Sequence, residues 1–131
     1  MKAMENEAKY ILLIEDDPFL SEIYVTKFEE TGFEVGVADD AVLGLVWARE
    51  KVPDLLLLDI VMPNMDGFEV LRTMKGDPIL KDIPVVILSN LGEEENVQKG
   101  LGLGAVAYLV KAHYTPMEVV AKVKQVLQEQ K

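Results

Sequence analysis

The chain has 131 residues, half of them apolar, no cysteine, and a formal charge of −10 from 23 acids against 13 bases. This suits one domain with a real core, excludes disulfides and thiolate metal sites, and leaves no basic patch for direct nucleic-acid binding. No apolar run approaches the ~18 residues of a membrane span, and the polar start MKAMENEAKY carries no hydrophobic signal segment, so a soluble cytoplasmic protein is expected.

In chain order, Tyr10–Ile14 is a short apolar run that reads as a strand. Leu20, Ile23, Tyr24 and Phe28 follow at the spacing of one helical face, and Gly32 supplies a stop. Phe33–Ala38 alternates like a half-exposed strand, and Ala41–Glu50 reads as a helix ended before Pro53. Leu55–Asp59, four leucines and an acid, reads as a fully buried strand. The turn-rich stretch MPNMDG leads to Asp66, a candidate N-cap for a helix carrying Val70, Leu71 and Met74. Ile83–Ser89 is a fourth strand, Glu93–Leu101 a weaker glycine-flanked helix, and Ala105–Val110 a fifth strand. Thr115 caps a last helix with Pro116 at its first position and Val119, Val120, Val123, Val126 and Leu127 as its buried stripe.

Five strands alternating with five helices predict a doubly wound α/β domain, a parallel sheet covered on both faces. Sites in such folds lie beyond the carboxyl ends of the strands. Those ends are where this chain puts its polar groups: Glu15, Asp16 and Asp17 after the first strand, Asp59 at the third, Ser89 and Asn90 at the fourth, Lys111 at the fifth. Taken singly, Asp17 reads as an N-cap, Ser89 as a loop hydroxyl and Lys111 as a surface lysine. If the first, third, fourth and fifth strands lie side by side, these groups share one rim. Glu15, Asp16 and Asp59 would then repel one another unless a cation neutralised them, and hard oxygen ligands suit Mg²⁺. Lys111 and the Ser89 hydroxyl would face the same pocket, ready for an anion. A phosphoryl group on Asp59 supplies one, since carboxylates form aspartyl phosphates.

At this point the chain resembles the receiver domain of two-component response regulators. The likeness spans about residues 9–128 and is carried by LIEDD (Leu13–Asp17), LLLLDIVMPNMDG (Leu55–Gly67), VVILSN (Val85–Asn90) and AYLVK (Ala107–Lys111), in that order and spacing. It implies a single flavodoxin-like (βα)5 domain over residues 1–131, a three-layer sandwich with strand order 2-1-3-4-5. It implies that Asp59 is the phosphate acceptor. Glu15, Asp16, Asp59 and the backbone carbonyl of Val61 would hold Mg²⁺, with Mn²⁺ as a substitute. Ser89 and Lys111 would bind the phosphoryl group. Tyr108 would be the aromatic switch whose ring turns inward when the Ser89 hydroxyl moves. Pro63 and Gly67 fit the loop beyond the acceptor. The implied partners are a sensor histidine kinase or histidine phosphotransfer protein, then an effector or output domain. The output surface would be the fourth helix, fifth strand and fifth helix, and a phosphorylation-dependent homodimer is a further implied partner.

The chain departs from that pattern in three places. Ala112 stands where the family usually has a proline after the lysine, in a cis bond, which leaves the shape of this loop open. His113, the only histidine, reads as a loop residue. Asn90 is bulkier than the usual residue and is expected to narrow access. Two rivals remain. A receiver-like module that is never phosphorylated is disfavoured by the intact acids and lysine. A haloacid-dehalogenase-type phosphatase is disfavoured because its second acid, two positions after the nucleophile, is Val61 here.

Overall fold

The computed structural model describes residues 8–130; residues 1–7, the polar start read above as lacking a signal segment, lie outside the described residues. The order is β1 (Tyr10–Ile14), α1 (Pro18–Glu30), β2 (Glu34–Ala38), α2 (Ala41–Glu50), β3 (Leu55–Leu58), α3 (Gly67–Lys75), β4 (Val85–Ser89), α4 (Glu94–Gly102), β5 (Ala107–Val110) and α5 (Pro116–Glu129), with a short 3₁₀ turn at Lys111–His113. The strands form one parallel sheet in the order β2-β1-β3-β4-β5. This is the flavodoxin-like arrangement expected from the resemblance. Among the described residues no helix is long and apolar enough to cross a membrane.

The two-residue period of a strand sorts the core into two layers. Leu12 and Ile14, Leu56 and Leu58, Val85 and Ile87 point to one face, under Ala41 and Ala48 of α2 and Phe68, Val70, Leu71 and Met74 of α3. Ile11 and Leu13, Leu55 and Leu57, Val86 and Leu88 point to the other, under Tyr24 and Phe28 of α1 and Val119, Val120, Val123 and Val126 of α5. Unbroken apolar runs in the sequence therefore mean burial on both faces.

Four helices start on side-chain caps. Asp17 accepts from the amides of Phe19 (2.9 Å) and Leu20 (3.3 Å), and Asp40 from Leu43 (2.9 Å). Asp66 with Glu69, and Thr115 with Glu118, form reciprocal capping boxes. Helix α4 begins after Glu93 with no side-chain cap, and its one buried residue is Gly100.

Some expected boundaries shift. Phe33, Ile83, Pro84, Ala105 and Val106 precede their strands, and Asp59 follows β3. Three of them still touch the ladder on one side: Pro84 accepts from Leu56 (3.0 Å), Val106 donates to Val85 (2.9 Å) and Asp59 donates to Ile14 (3.1 Å). At the other end of β3, the Asp54 carboxylate accepts from the Tyr10 amide at 2.7 Å. Ile23 is not on the buried face of α1. It is 44% exposed, because the buried stripe runs through Ser21, Tyr24 and Phe28, and residue 23 falls to its side.

The register aligns Ile14 with Leu58, Leu58 with Ile87, and Ser89 with Val110, so residues 15, 59, 89 and 111 leave the sheet on one edge. Just beyond, α3 begins against the backbone of the β3 exit. A Cβ on Gly67 would stand 2.4 Å from the Asp59 carbonyl oxygen and 2.9 Å from the Ile60 Cα. Backbone cannot yield as a flexible side chain can, so Gly67→Ala is expected to cost about 1–3 kcal/mol in urea unfolding, the usual size of an overpacking penalty.

Candidate functional site

The acid at the end of β3 is buried. Asp59 is 6% exposed and Glu15 2%, while Asp16 is exposed at the rim. One carboxylate oxygen from each of the three lies within 4.8 Å of the others. Lys111, arriving from β5, donates to Glu15 Oε1 at 2.7 Å and to Asp59 Oδ2 at 3.2 Å. Backbone N–H groups take the remaining oxygens: Ile60 donates to Asp59 Oδ1 (2.7 Å) and Asp17 to Glu15 Oε2 (3.1 Å). Every described buried side-chain N or O atom finds a partner.

The electrostatics follow from this packing. Burial pushes the Glu15 carboxyl above its ordinary range, and the Asp59 charge adds to it; the hydrogen bonds from Lys111 and from the Asp17 amide only partly offset this. Burial acts on Lys111 in the opposite sense, toward losing its proton. The bond to Glu15 and the charges of Asp59 and Glu15 outweigh it, so the ammonium is held above its ordinary value. A charged lysine thus stands between two buried carboxylates.

Ser89, wholly buried at the end of β4, accepts through Oγ from the Leu91 amide at 3.2 Å. Tyr108 donates its hydroxyl to the Leu91 carbonyl at 2.5 Å, and its half-buried ring packs against the core layer below α4. Burial raises the Tyr108 hydroxyl pKa; the Ser89 hydroxyl pulls it back and the Asp59 charge pushes it further up. Both backbone polar groups of Leu91 are therefore engaged, the amide by Ser89 and the carbonyl by Tyr108. Nothing in the residue type of Leu91 signals this, because the contacts are made by backbone.

Val61 lies on the loop after β3 with its side chain 59% exposed. Asn90 is exposed and lines an opening of about 320 Å³ with Lys111, Ala112 and Tyr24. His113 sits exposed in the 3₁₀ turn, and the described residues contain no cis peptide bond, so Lys111–Ala112 is trans. Two residues outside the expected set border the acids. Asp39 and Trp47 line a cleft of about 460 Å³ together with Glu15 and Asp16. Asp39 follows β2 as Glu15 follows β1, a signal available in the sequence.

Residues 11–124 match the response regulator receiver domain family. The chain belongs to that family. This receiver domain is 36% identical over 117 residues to the DNA-binding dual master transcriptional regulator RpaA of Synechocystis, covering 89% of this chain and 48% of that protein. The chain spans about half the length of the curated relatives it matches. Among solved structures, the receiver domain of Francisella response regulator 1452 superposes with a TM-score of 0.87 at 31% identity, covering 94% of this chain and 99% of that one. The Mn²⁺-bound form of response regulator Rcp1 superposes at 0.78 and 28% identity, covering 89% and 92%.

Glu15 gives this receiver a testable pH signature. A carboxyl whose folded pKa lies above its unfolded value stabilises the fold fully below the unfolded value, and that contribution is lost as pH rises through the folded value. In metal-free protein, Glu15→Gln should remove this component. Urea unfolding across the mildly acidic range should give a curve of stability against pH that rises less on acidification than that of the wild type.

Proposed function

We propose that this receiver domain is a phosphorelay switch that accepts a phosphoryl group on Asp59 from a histidine kinase or histidine phosphotransfer protein. The observation that carries the reading is the pairing of a buried lysine with a buried acceptor carboxylate inside a three-acid cluster. Acid alone would suit a cation site, and lysine alone an ion pair. Together they suit a site that gathers a cation and then shares the extra negative charge of an added phosphoryl group.

The donor set fits a divalent cation. Glu15, Asp16, Asp59 and the Val61 carbonyl would hold Mg²⁺, or Mn²⁺, the ion named for Rcp1. When bound, the cation neutralises the acids and polarises the phosphoryl oxygens. In the transfer, an Asp59 carboxylate oxygen attacks phosphorus, a P–O bond forms, and the P–N bond to the donor imidazole breaks. Lys111 shifts from the Asp59 carboxylate to a phosphoryl oxygen. Ser89, now bonded to the Leu91 amide, turns its hydroxyl to the same group, and Tyr108 reports the change to α4, β5 and α5. That face would engage an effector, an output domain or a second copy after phosphorylation. We read the domain as one unit, acting in the cytoplasm as a signalling domain and not as a metabolic enzyme. Its acidic charge leaves DNA contact, named for the twice-longer RpaA, to other parts of such proteins.

With Mg²⁺ and a small acyl phosphate, intact mass should show one added phosphate in the wild type and none in Asp59→Asn. Equal labelling of the two would overturn the assignment.

The residues two beyond the acceptor and two beyond the hydroxyl flank the path of an attacking water. They are Val61 and Leu91, and neither side chain can hydrogen-bond to it. Autodephosphorylation is therefore expected to be slow. Val61→Asn combined with Leu91→Glu should accelerate decay of the labelled protein by about a hundredfold, the lower range for a positioned acid–base side chain.

A further inference from the structure

Helix α4 differs from the other four. It has no side-chain cap, and its one buried residue is a glycine. The space that a side chain at Gly100 would fill is already taken. A Cβ there would lie 2.9 Å from Cδ2 and 3.2 Å from Cε2 of the Tyr108 ring, and 2.6 Å from Cδ1 of Ile87. The ring that occupies this notch is the one whose hydroxyl reaches the Leu91 carbonyl at 2.5 Å. On its other side α4 is held by Lys99, whose ammonium sits 4.5 Å from the centre of the Phe68 ring at the start of α3.

We propose that Gly100 is a positioning residue for the switch, its missing side chain forming the seat of the inward Tyr108 ring. The inference rests on the switch reading of Tyr108 given above, corrects it in that the ring already lies inward while Ser89 bonds the Leu91 amide, and extends it to a residue on a different element. With glycine at 100 the ring and the helix are both seated. With any side chain there, either the ring turns out and releases Leu91, or α4 lifts from β5. The position of α4 and the rotamer of Tyr108 are thus one coordinate. The Ser89–Leu91–Tyr108 chain of hydrogen bonds links that coordinate to the phosphoacceptor pocket.

The test uses Gly100→Ala in the full chain. Alanine favours helix over glycine, so a loss of function would run against intrinsic propensity. In unliganded protein, nuclear Overhauser contacts from the Tyr108 ring to residue 100 and to Leu91 should be present in the wild type and lost in Gly100→Ala. Binding of beryllofluoride with Mg²⁺, a mimic of the phosphoryl group, should weaken by about fivefold, the lower end of ordinary coupling factors. In a Tyr108→Ala background the same substitution should leave that affinity unchanged. Adding Ile87→Val to Gly100→Ala removes the other atom that the new methyl meets, and the loss of ring contacts should persist. A ring that keeps its contacts to both residue 100 and Leu91 in Gly100→Ala overturns the proposal, as does an equal loss of affinity with and without Tyr108. If the wild type binds no beryllofluoride, the phosphoacceptor reading fails, and the ring contacts of unliganded Gly100→Ala alone decide for or against the seat.

Discussion

Everything at the carboxyl edge of this sheet depends on one ammonium group. Two carboxylates, Glu15 and Asp59, are almost fully withdrawn from water, and an unpaired buried charge of that kind costs several kcal/mol. Lys111 relieves both at once. It does so from β5, with β4 lying between its strand and β3, so the strand order and the side-chain length are part of the same solution. The arrangement stays strained in one respect: Glu15 keeps a raised proton affinity despite its lysine, because burial and a second acid outweigh the pair. A pocket left in that state favours whatever positive charge it can gather, and later whatever anion lets the lysine move.

Much of this was legible in the order of residues. Unbroken apolar runs at Leu55–Leu58 and Val85–Leu88 carry buried parallel strands, and polar residues placed immediately after them mark the functional edge. The four acids and the lysine needed no structure to be noticed, because a charge beside a core strand contradicts its neighbours. The helix starts were readable for the same reason, since Asp66 with Glu69 and Thr115 with Glu118 spell out their caps. The face of α1 was misjudged at Ile23 because an apolar side chain was preferred to Ser21, and spacing decides that choice better than hydropathy. Leu91 was invisible. Its part is played by an amide and a carbonyl, which every residue has, and only the fold reveals which are used. The notch at Gly100 was equally hidden: a glycine near a helix end reads as a weak helix former until the ring beside it is located.

Stability is spread unevenly across the five helices. Helices α1, α2, α3 and α5 combine a side-chain cap with buried side chains, and they enclose two continuous apolar layers. Helix α4 has neither device, and two of its contacts are a glycine seat and a cation over an aromatic ring. Regions of low local stability are where a fold can change shape without unfolding. The chain has placed its loosest helix next to the pair of hydroxyls, Ser89 and Tyr108, that both bond to the backbone of Leu91.

The four leucines of β3 carry a further consequence. Identical side chains cannot tell one alignment from another two residues away, since either would bury leucine on both faces. The strand is indexed by what brackets it instead. Asp54 accepts from the Tyr10 amide at one end, and the amide of Asp59 donates to Ile14 at the other. A slide along β1 would break both tethers and carry a carboxylate into hydrocarbon. The residue proposed to accept the phosphoryl group is thus also the ruler mark against which the middle of the sheet is measured.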